Sequence, residues 1–368
     1  MKILFINEYC GITSTGRLCC ELADELSKYE NICKIAYGRK KEIPEKWKHY
    51  GVRVNNDLDV KIHALQTRVF DNTGFGSYFE TKKFLKWADE FNPDLVWLHN
   101  LHGYYINIKL LFEWIKRNPN LQVKWTLHDC WAFTGHCAQF SYVKCEKWKT
   151  GCFNCPQKSE YPKSLIFDRS KINWIEKKTI FTGVKKLKVI VPSNWLKGVV
   201  ENSFLREYPV SVVHNKINTE LFKYTKSDFK EKYGIEDKKV ILGVANVWTE
   251  RKGLNDFIKL SRMLDEKYAI VIVGLTRKQM KAMPENIVCV EHTNQAGDLA
   301  AIYSAADVYF NATYEDTYPT TNLEALAGGT VCVTYKTGGS VESVCEENVV
   351  EQGNLKDVVK RIYDICEQ

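Results

Sequence analysis

Short apolar runs alternate with amphipathic segments along the whole 368-residue chain. Apolar residues recur at helical spacing at Leu18, Leu22 and Leu26, which predicts a helix from about Arg17. Runs with the length and β-branched content of buried strands include KILFIN, NICKIAYG, DLVWLHN, VKWTL, KVILGVANV and YAIVIVGL. Alternating strands and helices predict an α/β fold with parallel sheets, and the length favours two domains.

The domain boundary is predicted at a polar linker, KYTKSDFKEKYGIEDKK, that follows the segment VSVVHNKINTELF. We therefore expect an N-terminal domain over residues 1–218 and a C-terminal domain over residues 219–368. The first domain opens with a strand, a glycine-containing loop and a helix, as Rossmann-like domains do. The glycine spacing is not G-x-G-x-x-G, so a nicotinamide cofactor is not expected.

Composition excludes several classes of protein. Hydrophobic residues make up 45% and charged residues 26%, as in ordinary soluble proteins. The net charge of +7 fits an anionic small molecule or an anionic membrane face, but it is too diffuse to predict nucleic-acid binding. No apolar stretch approaches 18 residues, and the first ten residues are typical of a strand rather than a signal peptide. We therefore expect a cytoplasmic protein with reduced cysteines.

Polar residues follow two predicted strands of the first domain. His99, Asn100 and His102 follow one strand, and His128 and Asp129 follow the next. The carboxyl ends of parallel strands border the ligand crevice, so these side chains are candidates for contacting substrate. An imidazole at residue 128 can donate to a phosphate or a sugar hydroxyl, with Asp129 fixing its tautomer. The alternative is that these histidines only hydrogen-bond within their own loops.

A cysteine-rich insertion is predicted at about residues 130–160. Cys137, Cys145, Cys152 and Cys155 lie within nineteen residues and include one C-x-x-C pair. Four thiolates at this spacing suit a structural, tetrahedral Zn²⁺ site with no open position for water. A disulfide pair and free buried thiols are the alternatives.

Two cations, Arg251 and Lys252, precede a helix predicted to start near Gly253. Cations beside the unpaired N–H groups of a helix start favour an anion, and a solvated helix entry is the alternative.

The stretch ADVYFNATYEDTYPTTNLEALAGGTVCVTYKTGG predicts a strand, an acidic loop, a short helix and a second strand. Glu315 and Asp316 lie in the loop, Asn322 is the expected N-cap of a helix over Leu323–Ala327, and Glu324 lies in the first turn of that helix. Glu324 is alternatively only a favourable charge at a helix start.

This stretch resembles the C-terminal signature of retaining glycosyltransferases of family 4, which have the GT-B fold. In that family two acidic residues eight apart flank the loop, in a run like E-G-F-P-x-x-x-L-E-A. Aligning Pro319 and LEA puts Asp316 in the first position and Glu324 in the second, and Glu315 is one residue too early. A family arginine five residues before the lysine is replaced here by Val247.

The resemblance implies two Rossmann-like domains whose parallel sheets face a deep interdomain cleft, with the last helix packing back on the N-terminal domain. It implies catalytic roles for His128 and for Asp316 or Glu315, and acceptor contacts for His99, Asn100 and His102. The implied donor-binding residues are Gly16, Arg251, Lys252, Glu291, His292, Thr293, Thr317, Tyr318, Pro319, Thr320 and Glu324.

The implied function is transfer of a hexosyl or N-acetylhexosaminyl group, with retention, from a UDP- or GDP-sugar to a saccharide or lipid-linked saccharide. The pattern looks most like enzymes of bacterial capsular or exopolysaccharide assembly, which places the protein at the inner membrane face, with peripheral association. Catalysis needs no metal cofactor, because the cations are built in. A GT-B sugar-nucleotide epimerase and a non-catalytic sugar-nucleotide-binding module are the alternatives.

Overall fold

The computed structural model describes residues 1–39, 41–291, 293 and 296–367. The chain splits into two compact units. The first comprises Met1–Pro192 and Leu196–Val213, and the second comprises Ser193–Trp195 and His214–Gln368. The main division lies between Val213 and His214, and the prediction placed it after Asn218. The roles predicted for the two domains stay predictions.

In the part of the chain that is described, the first unit carries a seven-stranded parallel sheet. Its strands are β1 (Lys2–Asn7), β2 (Ile32–Tyr37), β3 (Gly51–Arg53), β4 (Leu95–Leu98), β5 (Gln122–Thr126), β6 (Leu187–Val191) and β7 (Val210–Val212). The helices are α1 (Thr13–Ser27), α2 (Asp57–Phe70), α3 (Tyr78–Phe91), α4 (Ile108–Arg117), α5 (Ser170–Phe181) and α6 (Asn194–Glu201).

The strand order of the first sheet is β3-β2-β1-β4-β5-β6-β7, so the order reverses between β1 and β4. Ile6 of β1 pairs with Leu98 of β4, and the two strands therefore end at the same level. Such a switch point is where doubly wound sheets bind ligands. The polar residues that follow β1, β4 and β5 are consequently brought to one edge of the sheet.

Helix α1 differs from its prediction. It begins at Thr13, four residues before the predicted start at Arg17. Its buried face carries small residues rather than the three leucines, because the helix lies close to β1; the fully buried positions are Gly16, Cys19, Cys20 and Ala23. Helix α2 is absent from the predictions.

The second unit carries a six-stranded parallel sheet in its described residues. Its strands are β8 (Lys239–Val244), β9 (Tyr268–Val273), β10 (Ile287–Val290), β11 (Val308–Asn311), β12 (Val331–Tyr335) and β13 (Val349–Val350). Its helices are α7 (Phe229–Tyr233), α8 (Leu254–Leu260), α9 (Arg277–Met280), α10 (Ala296–Ala305), α11 (Thr320–Ala327) and α12 (Leu355–Cys366). The strand order is β10-β9-β8-β11-β12-β13, with its switch point between β8 and β11.

Helix α11 begins earlier than predicted, at Thr320, and Pro319 is its N-cap. Asn322 is therefore inside the helix. Its side chain is buried and hydrogen-bonds to Asn311 at 2.7 Å and to Ser343 at 2.8 Å. The amide links three segments of the unit, so the predicted capping role of Asn322 is wrong.

The last helix, α12, packs on the sheet of its own unit. Leu355, Val358 and Ile362 on its buried face join the core formed with β11, β12 and α8. The packing of this helix on the first domain stays a prediction. Among the described residues, no helix combines the length and apolar character needed to span a bilayer.

Candidate functional site

The turn that carries the two cations lies at the switch point of the second sheet. Arg251 and Lys252 form a 3₁₀ turn with Glu250, between the end of β8 and the start of α8. Gly253 follows with φ 77°, and a Cβ at this position would lie 2.3 Å from the carbonyl oxygen of Ala312. Only glycine allows the turn to pack this closely on the end of β11.

Two ion pairs join this turn to the acidic loop after β11. The Lys252 Nζ atom lies 2.8 Å from Asp316 Oδ2, and the Arg251 Nε atom lies 3.3 Å from Glu315 Oε1. The backbone reinforces the contact, since the N–H of Tyr314 donates to the carbonyl of Arg251 at 2.9 Å. The structure thus brings together the cations and the acids that the sequence predicts separately.

The two acids of the loop differ in accessibility. The Glu315 side chain is 1% exposed, whereas the Asp316 side chain is 20% exposed. Asp316 Oδ1 also accepts the N–H of Tyr318 at 3.3 Å, which orients the carboxylate. Asp316 is therefore the acid that a ligand can reach, and Glu315 braces Arg251 from inside.

The glycine turn after β12 packs against the backbone of the acidic loop. A Cβ at Gly338 would lie 1.9 Å from the carbonyl oxygen of Asp316, and one at Gly339 would lie 1.9 Å from that of Thr317. The N–H of Gly339 donates to the Asp316 carbonyl at 3.2 Å. The two glycines thus let the turn after β12 pack its backbone directly against the loop that contains the acids.

Glu324 lies in α11 and is 8% exposed. The hydroxyl of Tyr303, on the buried face of α10, donates to Glu324 Oε2 at 3.1 Å. Burial, followed by the charges of Tyr309 and Glu324, raises the pKa of Tyr303 well above its ordinary value, so its hydroxyl stays a donor. The sequence analysis did not identify Tyr303 as the partner of Glu324.

The remaining donor-binding candidates are spread over the chain. Thr317 and Tyr318 are buried in the acidic loop, and Pro319 and Thr320 start α11. The ring of Tyr318 stacks on His214 with centroids 4.8 Å apart. The acidic loop is therefore packed against its surroundings rather than extended into solvent.

The predicted donor-binding residues Glu291 and Thr293 lie outside the acidic loop. Glu291 is exposed and lies 3.3 Å from Arg277 in a surface ion pair, and Thr293 is partly buried. His292 lies outside the described residues. Gly16 belongs to the first unit, where a Cβ would lie 3.1 Å from the carbonyl oxygen of Tyr9. Donor contacts by these residues stay predictions.

The strand-end histidines of the first unit form two pairs. His102 Nε2 donates to Asp129 Oδ2 at 2.7 Å, and His128 Nε2 shares a hydrogen bond with His99 Nδ1 at 3.0 Å. The expectation that Asp129 fixes the tautomer of His128 is therefore wrong, because its carboxylate turns to His102. The N–H of Asn100 donates to the Asn7 side chain at 3.3 Å, which ties the loop after β4 to the end of β1.

The two hydrogen-bonded pairs shift the pKa values of the histidines in opposite directions. Burial lowers the pKa of His128 to about 4 despite the opposing charge of Asp129, and burial with the neighbouring His128 lowers that of His99. Burial also disfavours charge on His102, but the charge and hydrogen bond of Asp129 outweigh it and raise the pKa. His99 and His128 are consequently neutral near pH 7.

An ion pair at the end of β1 was missed. Glu8 is buried, and Arg39 Nη1 donates to its Oε1 at 2.9 Å. Gly103 has φ 118°, and a Cβ there would lie 2.6 Å from the Glu8 side chain. The hydroxyl of Tyr161 completes this cluster at 3.0 Å from His102 Nδ1. The sequence feature that could have identified Glu8 is its position as an acid directly after the first buried strand.

The four predicted zinc ligands line one small pocket, together with Phe140 and Trp148. The N–H of Gly135 donates to Cys152 Sγ at 3.2 Å. All thirteen cysteines are free thiols, which does not support the disulfide alternative. Within the described residues, however, no three histidine, cysteine, aspartate or glutamate side chains are arranged to hold a metal ion. The zinc site stays a prediction.

Parts of the chain match a known protein family and curated proteins. Residues 225–368 match the family described as Glycosyl transferases group 1. A putative colanic acid biosynthesis glycosyl transferase, WcaC of Escherichia coli (strain K12), is 34% identical over 99 residues, or 26% of this chain and 24% of that protein. A processive diacylglycerol alpha-glucosyltransferase of Acholeplasma laidlawii is 28% identical over 157 residues, or 39% of this chain and 47% of that protein.

The chain thus spans about a quarter and about half of these two relatives. Solved structures match it over its full length. Sucrose-phosphate synthase from Thermosynechococcus elongatus has a TM-score of 0.68 at 14% identity, and Anabaena HepE in complex with UDP-glucose has 0.62 at 15% identity. Both matches cover 100% of this chain and 90% of the other. At this identity the likeness concerns the fold alone, and it is the GT-B fold.

Proposed function

We propose that this protein is a retaining glycosyltransferase that uses a nucleoside-diphosphate sugar. The observation that carries the proposal is the ion pair between Lys252 and Asp316, together with that between Arg251 and Glu315. These contacts put two cations and a reachable carboxylate at the switch point of one parallel sheet, where such sheets bind ligands. The names of the two curated relatives and the nucleotide-bound fold neighbour support the same activity.

The donor is recognised by charge. Its diphosphate is multiply anionic and competes with the two carboxylates for Arg251 and Lys252. Asp316, released towards the sugar, accepts hydrogen bonds from sugar hydroxyls. Glu324, held by Tyr303, accepts those of the ribose. The nucleotide is proposed to be UDP or GDP, and the UDP-glucose complex of HepE makes UDP the first to test.

The chemistry follows from where charge develops. Breaking the anomeric C–O bond leaves the electron pair on the diphosphate and positive charge on the sugar. The two cations stabilise the leaving diphosphate, which lowers the barrier without a metal ion. The acceptor hydroxyl forms its new C–O bond on the face that the diphosphate leaves, and its proton goes to a diphosphate oxygen. The anomeric configuration is thereby retained.

The acceptor is a saccharide or a lipid-linked saccharide of a surface polysaccharide or glycolipid, and its proposed contacts lie at the strand ends of the first unit. His99, Asn100 and His102 supply the hydrogen-bonding groups there. Near pH 7 His128 is a neutral imidazole, so its role is to donate or accept a hydrogen bond rather than to carry charge.

A two-stage experiment tests the proposal. The shift in melting temperature is first measured with UDP, GDP and ADP on the parent and on Lys252→Ala. We expect at least one diphosphate to raise the melting temperature of the parent, because a ligand at a hundred times its Kd stabilises the folded state by about 2.7 kcal/mol. The matching nucleotide sugars are then incubated with candidate acceptors, and the anomeric configuration of the product is read by NMR.

The outcomes separate the alternatives. An α-linked product from an α-linked donor supports the proposal. Release of an epimerised sugar without any acceptor indicates an epimerase, and nucleotide binding without turnover of any sugar nucleotide indicates a binding module. A parent protein whose melting temperature responds to none of the three diphosphates contradicts the proposal.

A further inference from the structure

The carboxylate of Asp256 in helix α8 receives two tyrosine hydroxyls. Asp256 is 4% exposed, and its Oδ2 atom accepts the hydroxyl of Tyr314 at 2.6 Å and that of Tyr335 at 3.0 Å. The other oxygen, Oδ1, lies 3.5 Å from the Nζ atom of Lys259, whose side chain is 65% exposed. The two tyrosine rings also pack on each other, with centroids 5.4 Å apart. One buried carboxylate thus joins two tyrosines.

The two tyrosines belong to the segments that build the candidate site. Tyr314 directly precedes Glu315 and Asp316 in the acidic loop, and Tyr335 is the last residue of β12, before the glycine turn. Asp256 lies in the first turn of α8, the helix that follows the turn with the two cations. Asp256 therefore ties the acidic loop and the end of β12 to this helix.

Burial and charge make the contact strong. Burial, followed by the charge of Asp256, raises the pKa of Tyr335 well above its ordinary value, so this hydroxyl stays a donor. Hydrogen bonds to an ionised acceptor are shorter and stronger than those between neutral groups, and the 2.6 Å bond from Tyr314 has such a length. Because Asp256 is buried, a ligand anion does not compete for its hydrogen bonds.

The contact between Lys252 and Asp316 holds the same loop in a different way. Both side chains of this ion pair are partly exposed, at 25% and 20%. A diphosphate that binds Lys252 therefore opens the pair and releases Asp316. The hydrogen bond from Tyr314 to Asp256 is unaffected by this exchange, so the loop keeps one of its two side-chain anchors.

The main chain of Tyr314 is bonded on both sides. Its N–H donates to the Arg251 carbonyl at 2.9 Å, and its carbonyl accepts the hydroxyl of Thr337 at 2.8 Å. These two bonds fix the place of Tyr314 between the cation turn and the glycine turn. The bond to Asp256, at the far end of the ring, also fixes the orientation of the residue, and with it the direction in which the chain continues to Asp316.

We propose that Asp256, acting through Tyr314, is a positioning residue that keeps Asp316 within reach of the donor sugar after the ion pair with Lys252 has opened. This inference rests on the proposed function, which assigns Asp316 to the sugar. It adds to that function a reason why the released carboxylate stays in place: the anchor of the loop is buried, whereas its ion pair is open to the ligand.

Hydrogen–deuterium exchange of peptides covering residues 312–318 tests the anchor without ligand or turnover. Lys252→Ala opens the ion pair, Tyr314→Phe removes the hydroxyl, and the double variant lacks both contacts. Each single variant should exchange within about threefold of the parent, because the other contact remains. The double variant should exchange about tenfold faster or more, since the two contacts hold one loop. A double variant that exchanges like Lys252→Ala overturns the inference.

Steady-state kinetics measures the consequence for transfer. Tyr314→Phe and Asp256→Ala should each lower kcat about tenfold, while KM for the donor and the affinity for free nucleoside diphosphate change less than about threefold. Asp256→Asn keeps an oxygen that accepts the hydroxyls and should recover most of the loss. In an Asp316→Asn background, Tyr314→Phe should lower kcat no further, because it acts through Asp316.

Tyr208→Phe is the matched control in the first unit. Tyr208 is 7% exposed, and its hydroxyl donates to the Phe181 carbonyl at 2.7 Å. Both Tyr208→Phe and Tyr314→Phe should lower the melting temperature, because each loses a hydrogen bond of a tyrosine hydroxyl. Tyr208→Phe should keep the kcat of the parent and the slow exchange of the acidic loop, which a loss of stability alone does not change.

The outcomes separate this inference from the proposed function. A parent that transfers sugar, with unchanged kcat in Tyr314→Phe, overturns the inference and leaves the proposed function standing. A further loss of kcat from Tyr314→Phe in the Asp316→Asn background also overturns it. A parent that transfers no sugar contradicts the proposed function, and amide exchange then decides the anchor alone: fast exchange in the double variant supports it, and slow exchange overturns it.

Discussion

Lys252 and Asp316 lie 64 residues apart in the chain, and their side chains meet at 2.8 Å. The contact joins the turn after β8 to the loop after β11, which are neighbouring strands of one sheet. It thereby defines the place where the proposed donor diphosphate and its sugar bind.

Lys252→Ala should weaken binding of nucleoside diphosphates by about tenfold to a hundredfold, because a hydrogen bond to a charged group contributes about 1.5–3 kcal/mol. Isothermal titration calorimetry measures the change. Lys259→Ala is the matched control, since Lys259 lies on α8 and its ion pair with Asp256 is exposed on the lysine side. Equal affinities of parent and Lys252→Ala would contradict the proposed diphosphate site.

Asp316→Asn should lower kcat by about a hundredfold or more, while the affinity for the free nucleotide should not fall and should rise if the diphosphate competes with Asp316 for Lys252. The reason is that Asp316 is proposed to contact the sugar and not the nucleotide. Glu315→Gln should instead lower the melting temperature, because Arg251 would lose its buried partner. Steady-state kinetics and thermal unfolding of both variants test whether Asp316 acts in turnover and Glu315 in stability. Unchanged turnover in Asp316→Asn removes this residue from the mechanism.

Glu324→Gln should weaken binding of a nucleoside diphosphate by about tenfold but leave binding of inorganic pyrophosphate unchanged, because only the former has ribose hydroxyls. Competition between the two ligands measures both affinities on the same protein. Equal losses for both ligands would indicate that Glu324 acts on the diphosphate or on the fold rather than on the ribose.

Gly253→Ala should destabilise the second unit by about 2 kcal/mol or more, since the new Cβ meets Ala312 and the backbone has φ 77°. Gly297→Ala, in α10, is the control: a Cβ there meets nothing within 4 Å, so stability should stay equal or rise. Denaturant unfolding compares the two. A Gly253→Ala protein as stable as the parent would show that the turn does not need this close packing.

The stability of the first unit should fall as the pH falls from about 6.5 to about 4. Over this range the unfolded chain protonates His128, whose folded pKa burial lowers to about 4, so the unfolded state binds more protons. At pH 5 this residue accounts for about 2 kcal/mol relative to pH 7. Chemical unfolding at pH 7 and pH 5 measures the free energy of unfolding. Between these two pH values, His128→Asn should lose less of it than the parent.

His102 and Asp129, which lie near His128, also make the free energy of unfolding depend on pH. The raised pKa of His102 gives stability that is present below about 6.5 and is lost as the pH rises, and the lowered pKa of Asp129 gives stability that is lost only at acid pH. Exposed His49 provides the control, and His49→Asn should behave as the parent. An identical pH dependence in His128→Asn and parent contradicts the assignment.

The sequence by itself determined the architecture of both units. Buried strands such as Lys2–Asn7 and Tyr268–Val273 are built around a continuous apolar run, ILFI in the first and YAIVIV in the second, because a parallel sheet is covered on both faces. This pattern can be recognised from neighbouring residues alone. The sequence also identified two candidates: Lys252, as a cation before a helix start, and Asp316, through the alignment of its loop with the family signature.

Only the tertiary structure decided which of these candidates meet. Asp129 turned out to pair with His102 rather than with its neighbour His128, and Asn322 to bind across strands rather than to cap a helix. Helix α2 was missed although Leu58, Ile62 and Leu65 recur at helical spacing; what the sequence does not reveal is that this apolar side faces outward. Side-chain partners and the direction of a helix face depend on residues far apart in the chain, whereas strand and helix formation depends mainly on near neighbours.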